Sequence, residues 1–341
     1  MTITAVAEGL SEPWSLGFLP DGGFLVTERG GRLLRYPAAG GGPVEVSGLP
    51  AVFATGQGGL LDVLVPRDHA QTGEIFLSFA AASAGGGGTA LLRARLDGSA
   101  LSDPVVIWTM SDPTGSPVHF GGRIVEAMDG TLFLTTGDRG EGMPAQDPGR
   151  HRGKIIRVAR DGSIPADNPA IPGAPPEVWS LGHRNPQGAT LDGEGRLWAS
   201  EHGAQGGDEV NLVQPGRNYG WPVITYGRDY DGSRIGEGTA KTGMEQPAHY
   251  WDPSIAPSGH MIYSGKLWPG WAGDHFIGSL KFDMISRLDP DRWGEGGWSE
   301  ERIAAPQTGR VRDIREAPDG SIWFLSVNDG AVYRMAPSGQ P

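Results

Sequence analysis

Residues 13–36, PWSLGFLPDGGFLVTERGGRLLRY, contain two short apolar runs joined by an Asp-Gly turn and followed by a third run. Short strands on either side of such a turn are typical of a β-hairpin. Similar stretches start at Gly121, Gly188 and Arg312, and weaker copies start at Gly58 and Ser258. The stretch therefore predicts one supersecondary unit that the chain repeats six times.

Hairpin repeats of roughly 40 to 50 residues are typical of propeller blades or solenoid units. The second strands are expected to begin near Phe24, Ile75, Leu132, Leu197, His275 and Ile322. Third strands follow several of them, as in GGRLLRY, RGKIIRV and DGAVYRM. We therefore predict an all-β fold, a six-bladed β-propeller with four-stranded antiparallel blades. The alternative is a two-sheet sandwich, but a sandwich does not require one hairpin repeated along the whole chain.

The ends of the chain and its insertions complete this prediction. The last copy ends at Met335, so the segment from Thr2 to Val6 is expected to pair with it and remove the exposed sheet edge. We predict a single domain over residues 1–341. Long loops on a regular scaffold are where functional sites are built. Such insertions lie between Gly140 and Ile155, between Ile164 and Val178, and from Gln205 to Ser258.

Composition excludes several classes of protein. The 56 Gly and 28 Pro are too many for a helical fold, whereas 38% hydrophobic residues and 11 Trp are too apolar for a disordered chain. The absence of cysteine excludes disulfides and thiolate chemistry. A net charge of -12 without a basic block opposes nucleic-acid binding, and no apolar run is long enough to predict a membrane span. The N-terminal MTITAVAEGL does not resemble a signal peptide, so a cytosolic protein and one whose leader was removed both fit.

Polar side chains at the blade starts are the first candidates for a site. They are Gln57, His119, Arg184, Asn185, Lys281, Arg310 and Arg312. Equivalent positions of all blades face one end of a propeller channel, so these side chains are expected to converge. Cations gathered in an acidic protein indicate a ligand with several carboxylates or phosphates. A structural role for His119 and turn capping by Arg184 and Asn185 remain open at this point.

A second candidate is the stretch from Glu201 to Pro222, EHGAQGGDEVNLVQPGRNYGWP. Its glycines allow backbone carbonyls to turn inward, and Asp208 and Glu209 add carboxylate oxygens beside them. Carbonyl and carboxylate oxygens are the ligands that calcium prefers. The alternative interpretation is an ordinary surface turn of a β protein.

Seven motifs, in chain order, resemble those of the soluble quinoprotein sugar dehydrogenases, the glucose/sorbosone dehydrogenase family, and most closely its aldose sugar dehydrogenase branch. They are HFGGR, TTGDRG, HRNPQG, EHGAQGGDEVN, NYGWP, GSLK and GRVRD, and the resemblance extends from about Gly9 to Met335. It implies a six-bladed propeller that binds pyrroloquinoline quinone (PQQ) and calcium and oxidises aldoses at C1 to lactones. It also implies an external electron acceptor and a periplasmic or secreted location. PQQ is a tricarboxylate, which agrees with the cluster of cations.

The resemblance implies a role for each matching residue. His119 matches the general base that takes the proton of the sugar C1 hydroxyl, and Asp138 matches the acid that orients this histidine. Gln57 matches an amide that contacts the substrate, and Arg184 matches a residue that faces both cofactor and substrate. The matches to the cofactor-binding set are Arg184, Asn185, Lys281, Arg310 and Arg312.

The same resemblance implies two calcium sites. The carbonyls of Gly203 and Ala204 match ligands of a calcium that also binds the quinone, whereas Glu209 and the carbonyl of Tyr219 match a structural calcium site. Family members commonly have proline where this chain has Ala204, so the fixed φ of proline is lost and calcium affinity is affected. Val118 stands where glucose-specific members carry an acid, which favours a broader aldose range.

Two other functions compete with sugar oxidation. A calcium-dependent lactonase-type hydrolase would need a metal on the channel axis, held by carboxylate and amide side chains, whereas the axial candidates here are mostly cationic. A non-catalytic binding propeller would not need the matched functional side chains, all of which are present. The expected partners are therefore a small aldose and an external electron acceptor.

Overall fold

The computed structural model describes residues 1–339 and arranges them in six four-stranded antiparallel sheets. The predicted domain 1–341 also includes Gln340 and Pro341, which lie outside the described residues. In chain order the strands are β1 (Thr2–Ala7), β2 (Pro13–Phe18), β3 (Phe24–Glu28), β4 (Arg32–Tyr36), β5 (Val44–Glu45), β6 (Leu60–Leu64), β7 (Glu74–Ser83), β8 (Gly86–Asp97), β9 (Ala100–Thr109), β10 (Ile124–Glu126), β11 (Leu132–Thr135), β12 (Lys154–Val158), β13 (Val178–Leu181), β14 (Pro186–Leu191), β15 (Leu197–Glu201), β16 (Asp208–Val213), β17 (His249–Trp251), β18 (Pro257–Ile262), β19 (His275–Ser279), β20 (Ile285–Gly294), β21 (Gly297–Ile303), β22 (Val311–Glu316), β23 (Ile322–Ser326) and β24 (Ala331–Ala336).

Each of the first five blades uses four consecutive strands, from β2–β5 in blade 1 to β18–β21 in blade 5, and blade 6 combines β22–β24 with β1. The predicted six-bladed propeller is therefore confirmed. Second strands begin at the predicted residue in five blades, and β7 begins at Glu74 instead of Ile75. The predicted ring closure is also confirmed, because β1 pairs antiparallel with β24, with Thr2 opposite Ala336.

The first strand of each blade lies next to the channel. These six inner strands contact one another in a closed ring, in the order β2, β6, β10, β14, β18, β22 and back to β2. Apolar side chains fill the space between successive blades, as Leu25 and Ile75 do between blades 1 and 2 and Phe276 and Phe324 do between blades 5 and 6. Each fully buried side chain of this kind contributes about 1.5–3 kcal/mol to stability.

Regular helix is scarce in this fold. Within residues 1–339 the helical segments are α1 (His69–Thr72) and two 3-10 turns, Met143–Ala145 and Pro269–Trp271. In that part of the chain no helix is both long and apolar enough to cross a membrane.

The longest insertion, residues 214–248, connects β16 to β17. Part of it runs parallel to blade 3, where Asn218 bridges to Leu181 and the Trp221 N–H donates to the Gly182 carbonyl at 2.9 Å. Further along, Arg228 pairs with Gln205 of the loop after β15. The insertion thus returns to the channel end at which the inner strands begin, hereafter the site end.

A buried set of charges fills the channel below the site end. Asp62 accepts hydrogen bonds from Arg123 at 2.9 Å and from Arg315 at 3.1 Å, and Asp313 accepts from Arg315 at 3.0 Å. Arg123 also lies 3.1 Å from Asp313. The Asp62, Arg123 and Asp313 side chains are at most 1% exposed. Two carboxylates and two guanidiniums from blades 2, 3 and 6 therefore form a balanced set, hereafter the channel charge set.

Candidate active site

A cavity of about 320 Å³ opens at the site end of the channel. Its wall contains more cations than anions. The residues that line it are Glu12, Pro13, Trp14, Arg29, Gln57, Gln187, His202, Ala256, Leu280, Arg310, Arg312 and Val327. Glu12, the one acid among them in the described chain, already pairs with Arg29. The cavity therefore favours an anionic ligand.

Two of its arginines are held by neutral oxygens. Arg312 donates to the Gln187 side-chain oxygen at 2.8 Å, and Arg310 donates to the Leu280 carbonyl at 2.9 Å. Burial, followed by the repulsion of Arg310, lowers the pKa of Arg312 to about 9. An anion in the cavity would relieve both costs, so a compact polycarboxylate such as PQQ fits the donors that this chain provides.

A histidine–carboxylate pair lies beside this cavity. The His119 Nδ1 atom is 2.6 Å from the Asp138 Oδ1 atom, and the His119 backbone N–H donates to the Gln57 side-chain oxygen at 2.8 Å. Asp138 also accepts backbone N–H groups of Gly140 at 2.7 Å and Gly142 at 3.1 Å. Because Asp138 engages Nδ1, the ring atom left to accept a proton is Nε2.

The environment keeps this histidine neutral. Burial lowers the pKa of His119, and the hydrogen bond that His119 donates to Asp138 only partly offsets that effect, while Arg184 adds to the lowering. Burial acts to raise the pKa of Asp138, but His119, the Gly140 N–H and Arg184 together outweigh it and hold the pKa below its usual value. The expected gain in basicity from Asp138 is therefore present but smaller than the effect of burial. At neutral pH the pair consists of a neutral imidazole and a carboxylate.

The backbone around His119 is tightly constrained. His119 has φ of 56°, a left-handed conformation that is uncommon outside glycine. A Cβ atom at Gly137 would lie 2.1 Å from the His119 carbonyl oxygen, so only glycine fits there. The buried Arg139 guanidinium donates to the Val118 carbonyl and lies 3.3 Å from the centre of the Phe120 ring. These contacts fix the loop that carries the imidazole.

A second, much smaller cavity lies next to the first. The residues that line it are Arg184, Glu201, His202, Gly203, Gly207, Glu209, Tyr219, Trp221, Ile224 and Thr225. It thus brings together three of the four residues predicted to hold calcium, and the fourth, Ala204, is buried directly after Gly203. His202 lines both cavities.

The small cavity has the chemistry of a cation site. The Asn211 side-chain amide donates to Glu201 at 3.2 Å and to Glu209 at 3.1 Å. Glu201 also accepts from His183 and from the Arg184 N–H, whereas Asn211 is the one hydrogen-bond donor to the Glu209 carboxylate within residues 1–339. Burial, then the charge of Glu201, raises the pKa of Glu209. No group of three or more metal-binding side chains exists in residues 1–339. A cation here would therefore depend on Glu209 and backbone carbonyls, and that donor set fits calcium.

The remaining predicted residues differ in how close they lie to the cavities. The Arg184 guanidinium lies 5.1 Å from the Trp221 ring, and its backbone N–H donates to Glu201 at 2.7 Å. Asn185 accepts the Gly121 N–H at 3.0 Å, so part of its role is to cap a turn. Lys281 is exposed and its Nζ atom lies 5.1 Å from the Phe282 ring, outside the lining of either cavity.

Sequence reasoning did not single out several residues of the two cavities. Trp14, Arg29, Gln187, Glu201, His202 and Trp221 are the clearest of them. Arg29 follows the second strand of blade 1, at the same end of the sheet as the other blade starts, and that position was a usable indication. Glu201, His202 and Trp221 lie in motifs that carry the family resemblance, but their roles depend on contacts across the ring.

Comparisons with known proteins agree with this architecture. A model of the glucose/sorbosone dehydrogenase family matches residues 10–334. The aldose sugar dehydrogenase YliI of Escherichia coli is 39% identical over 349 residues, which cover 99% of this chain and 93% of that protein. The crystal structure of the soluble aldose sugar dehydrogenase from Escherichia coli in the apo-form has a TM-score of 0.91 at 37% identity, over 98% of this chain and 99% of that one. A PQQ-bound aldose sugar dehydrogenase from Streptomyces coelicolor has a TM-score of 0.80 at 28% identity, over 98% and 97%.

Proposed function

This chain belongs to the glucose/sorbosone dehydrogenase family, and from that premise we propose that it is a quinoprotein that oxidises aldose sugars at C1 to lactones. The observation that carries the proposal is the neutral His119 imidazole, held 2.6 Å from Asp138 beside a cavity lined by arginines. One part suits a proton acceptor and the other suits an anionic cofactor. A sugar dehydrogenase that uses PQQ requires both.

Each side chain has a defined task in this proposal. The Nε2 atom of His119 accepts the proton of the C1 hydroxyl, and the Asp138 carboxylate stabilises the imidazolium that forms. Gln57, which already accepts the His119 backbone N–H, positions the sugar beside the imidazole. Arg310 and Arg312, which line the cavity, would bind the carboxylates of the cofactor. PQQ, when bound, would supply the two-electron oxidant for the C1–H bond, with an external acceptor required to reoxidise it.

Calcium completes the proposal at the small cavity. The carbonyls of Gly203 and Ala204 would hold the ion that also binds the quinone, and Glu209 with the carbonyl of Tyr219 would hold a structural ion. A metal ion bound to the quinone acts as a Lewis acid. A periplasmic or secreted location is also part of the proposal, and fractionation of cells that produce the protein would test it.

The direct test is reconstitution of the purified protein with PQQ and calcium. Reduction of an artificial dye is followed with glucose, with other aldoses and without sugar. We expect dye reduction that requires both PQQ and an aldose. If no aldose supports dye reduction at saturating PQQ, the proposed function is wrong.

The hydrolase alternative is tested in parallel by lactone hydrolysis with calcium alone. The channel carboxylates that could serve such an enzyme are Asp62 and Asp313, and both are buried against Arg123 and Arg315. They are therefore poorly placed to bind a metal on the axis. We expect no hydrolysis above the rate in buffer.

Arg312→Ala should weaken PQQ binding by roughly ten- to a hundredfold, because it removes a charge-assisted hydrogen bond worth about 1.5–3 kcal/mol from a buried wall. Lys281→Ala should also weaken binding, but less, since the exposed lysine is screened by water. The measurement is calorimetric titration of PQQ into each variant. Arg196→Ala, an exposed arginine paired with Asp192 in the turn between β14 and β15, is the control. Equal affinities for Arg312→Ala and wild type would place the cofactor elsewhere.

Glu209→Gln should reduce the response of the melting temperature to calcium. A ligand bound only to the folded state stabilises it by about 2.7 kcal/mol at a hundredfold excess over Kd, and the variant loses the charge that binds this ligand. Without calcium the variant should be at least as stable as wild type, because repulsion from Glu201 is removed. Glu194→Gln, an exposed turn acid, is the control. Identical calcium responses would show that Glu209 is not a ligand.

A further inference from the structure

Trp221 connects the longest insertion to the histidine–carboxylate pair. Its indole N–H donates to the Oδ2 atom of Asp138 at 2.7 Å, across 83 residues of sequence. The other carboxylate oxygen, Oδ1, is the one that contacts His119. The two oxygens of Asp138 are thus held by two different rings, and the carboxylate cannot rotate without breaking one of these bonds.

The segment that carries Trp221 is itself fixed. The Trp221 backbone N–H donates to the Gly182 carbonyl at 2.9 Å, and its carbonyl accepts from the Gln146 side chain at 2.8 Å. Two residues earlier, the Tyr219 ring stacks on His183 at 4.7 Å, and the Tyr219 N–H donates to the Leu181 carbonyl at 2.8 Å. The position of the indole is therefore set by backbone contacts with blade 3 and with the loop between β11 and β12, and not by packing of the indole side chain alone.

The indole also organises the charged group nearest the pair. The Arg184 guanidinium lies 5.1 Å from the Trp221 ring, a cation–π distance, and the Arg184 carbonyl accepts the Asp138 backbone N–H at 2.8 Å. Both Trp221 and Arg184 line the small cavity. One tryptophan thus contacts the acid of the pair and the cation beside it.

We propose that Trp221 is a positioning residue for the general base. It holds Asp138 in the orientation that keeps His119 Nδ1 engaged, so that Nε2 faces the sugar. The inference rests on the proposed role of His119, but the contact it invokes exists without cofactor or substrate. The insertion would then act on catalysis through Asp138, in addition to any role in binding calcium.

The first test uses the wild-type protein. In proton–nitrogen NMR spectra, one indole N–H signal should change with pH along the same curve as the His119 imidazole signals. This dependence should disappear in His119→Gln. If no indole signal follows the titration of His119, the proposal is wrong. This test requires neither enzyme activity nor a tryptophan variant that folds.

The second test is Trp221→Phe, which keeps a ring beside Arg184 and removes the donor to Asp138. We expect kcat to fall by about tenfold or more, with an upper limit near 10²-fold, while KM for the sugar changes little. Without the indole donor the Asp138 carboxylate can rotate, and its contact with His119, which acts to raise the pKa of the imidazole, weakens. The acid limb of the kcat profile should therefore move to lower pH. The charged groups around His119 are Asp138, Arg139 and Arg184, and they are retained in this variant.

Trp198→Phe is the matched control, because it removes an indole bond of 2.9 Å to the Asp192 carboxylate in the turn between β14 and β15. Both variants are compared at temperatures below their melting transitions. If Trp221→Phe has the same kcat and the same acid limb of the kcat profile as Trp198→Phe, then Trp221 contributes only packing. If wild type itself shows no sugar oxidation, the proposed function fails, and the NMR test still decides whether Trp221 holds Asp138.

Discussion

His119→Gln is expected to lower kcat by about 10²- to 10⁴-fold, which is the usual contribution of a positioned general acid or base to the rate. Glutamine approximates the size of histidine but cannot accept the C1 hydroxyl proton. PQQ affinity should stay close to that of wild type, because the proposed cofactor contacts come from Arg310 and Arg312. The base acts on the sugar, so the loss appears in turnover rather than in cofactor binding.

The measurement combines calorimetric titration of PQQ with steady-state rates at saturating cofactor. His69→Gln, which changes a histidine of α1 far from the site end, is the control and should keep wild-type turnover. A near-normal kcat for His119→Gln would remove this residue from the mechanism. Loss of PQQ binding would instead show that His119 supports the cofactor.

The pH dependence of wild type follows from the same residue. Burial lowers the pKa of His119 below its usual value, so the imidazole is neutral above that lowered pKa and protonated below it. Only the neutral form accepts a proton. We therefore expect kcat/KM to be constant near neutral pH and to fall at a pH below about 6.5, the ordinary histidine value. An acid limb above that value would contradict the assignment.

Asp62→Asn is expected to destabilise the fold by about 3–5 kcal/mol, the usual cost of breaking a buried ion pair by removing one partner. The variant leaves Arg123 and Arg315 with Asp313 as their remaining carboxylate in the channel charge set. The new amide nitrogen takes the place of one of two carboxylate oxygens, depending on how the amide is oriented. One of these oxygens accepts the Ile124 N–H at 2.7 Å, and the other accepts from the arginines. An uncompensated buried cation results in either case.

Chemical denaturation of wild type and variant measures this effect. Glu45→Gln, which breaks an exposed pair with Arg32, is the control and should change stability little. Burial acts to raise the pKa of Asp313, but Arg123 and Arg315 hold it below the usual value. The stabilisation from this carboxylate is therefore complete above the unfolded pKa of about 3.9 and is lost as the pH falls through the lowered pKa. Equal stability of Asp62→Asn and wild type would show that the charge set contributes little.

The sequence by itself determined the blades, because their determinants are local. Asp-Gly turns and alternating apolar residues specify each hairpin, and a hairpin cannot bury its faces alone, so repetition requires neighbouring blades. The second strands were located to within one residue, and the pairing of β1 with β24 followed from the need to cover a sheet edge. The positive character of the site followed too, since equivalent blade positions meet at one end of a ring.

Tertiary structure alone decided which side chains meet. Lys281 and Arg29 occupy similar positions in their blades, yet only Arg29 lines the cavity, because the paths of the loops set the reach of each side chain. The contact of Trp221 with Asp138 depends on how a long insertion folds back on blade 3, which no local pattern encodes. The neutral state of His119 likewise results from desolvation by residues distant in sequence, and burial of this kind exists only once the ring has closed.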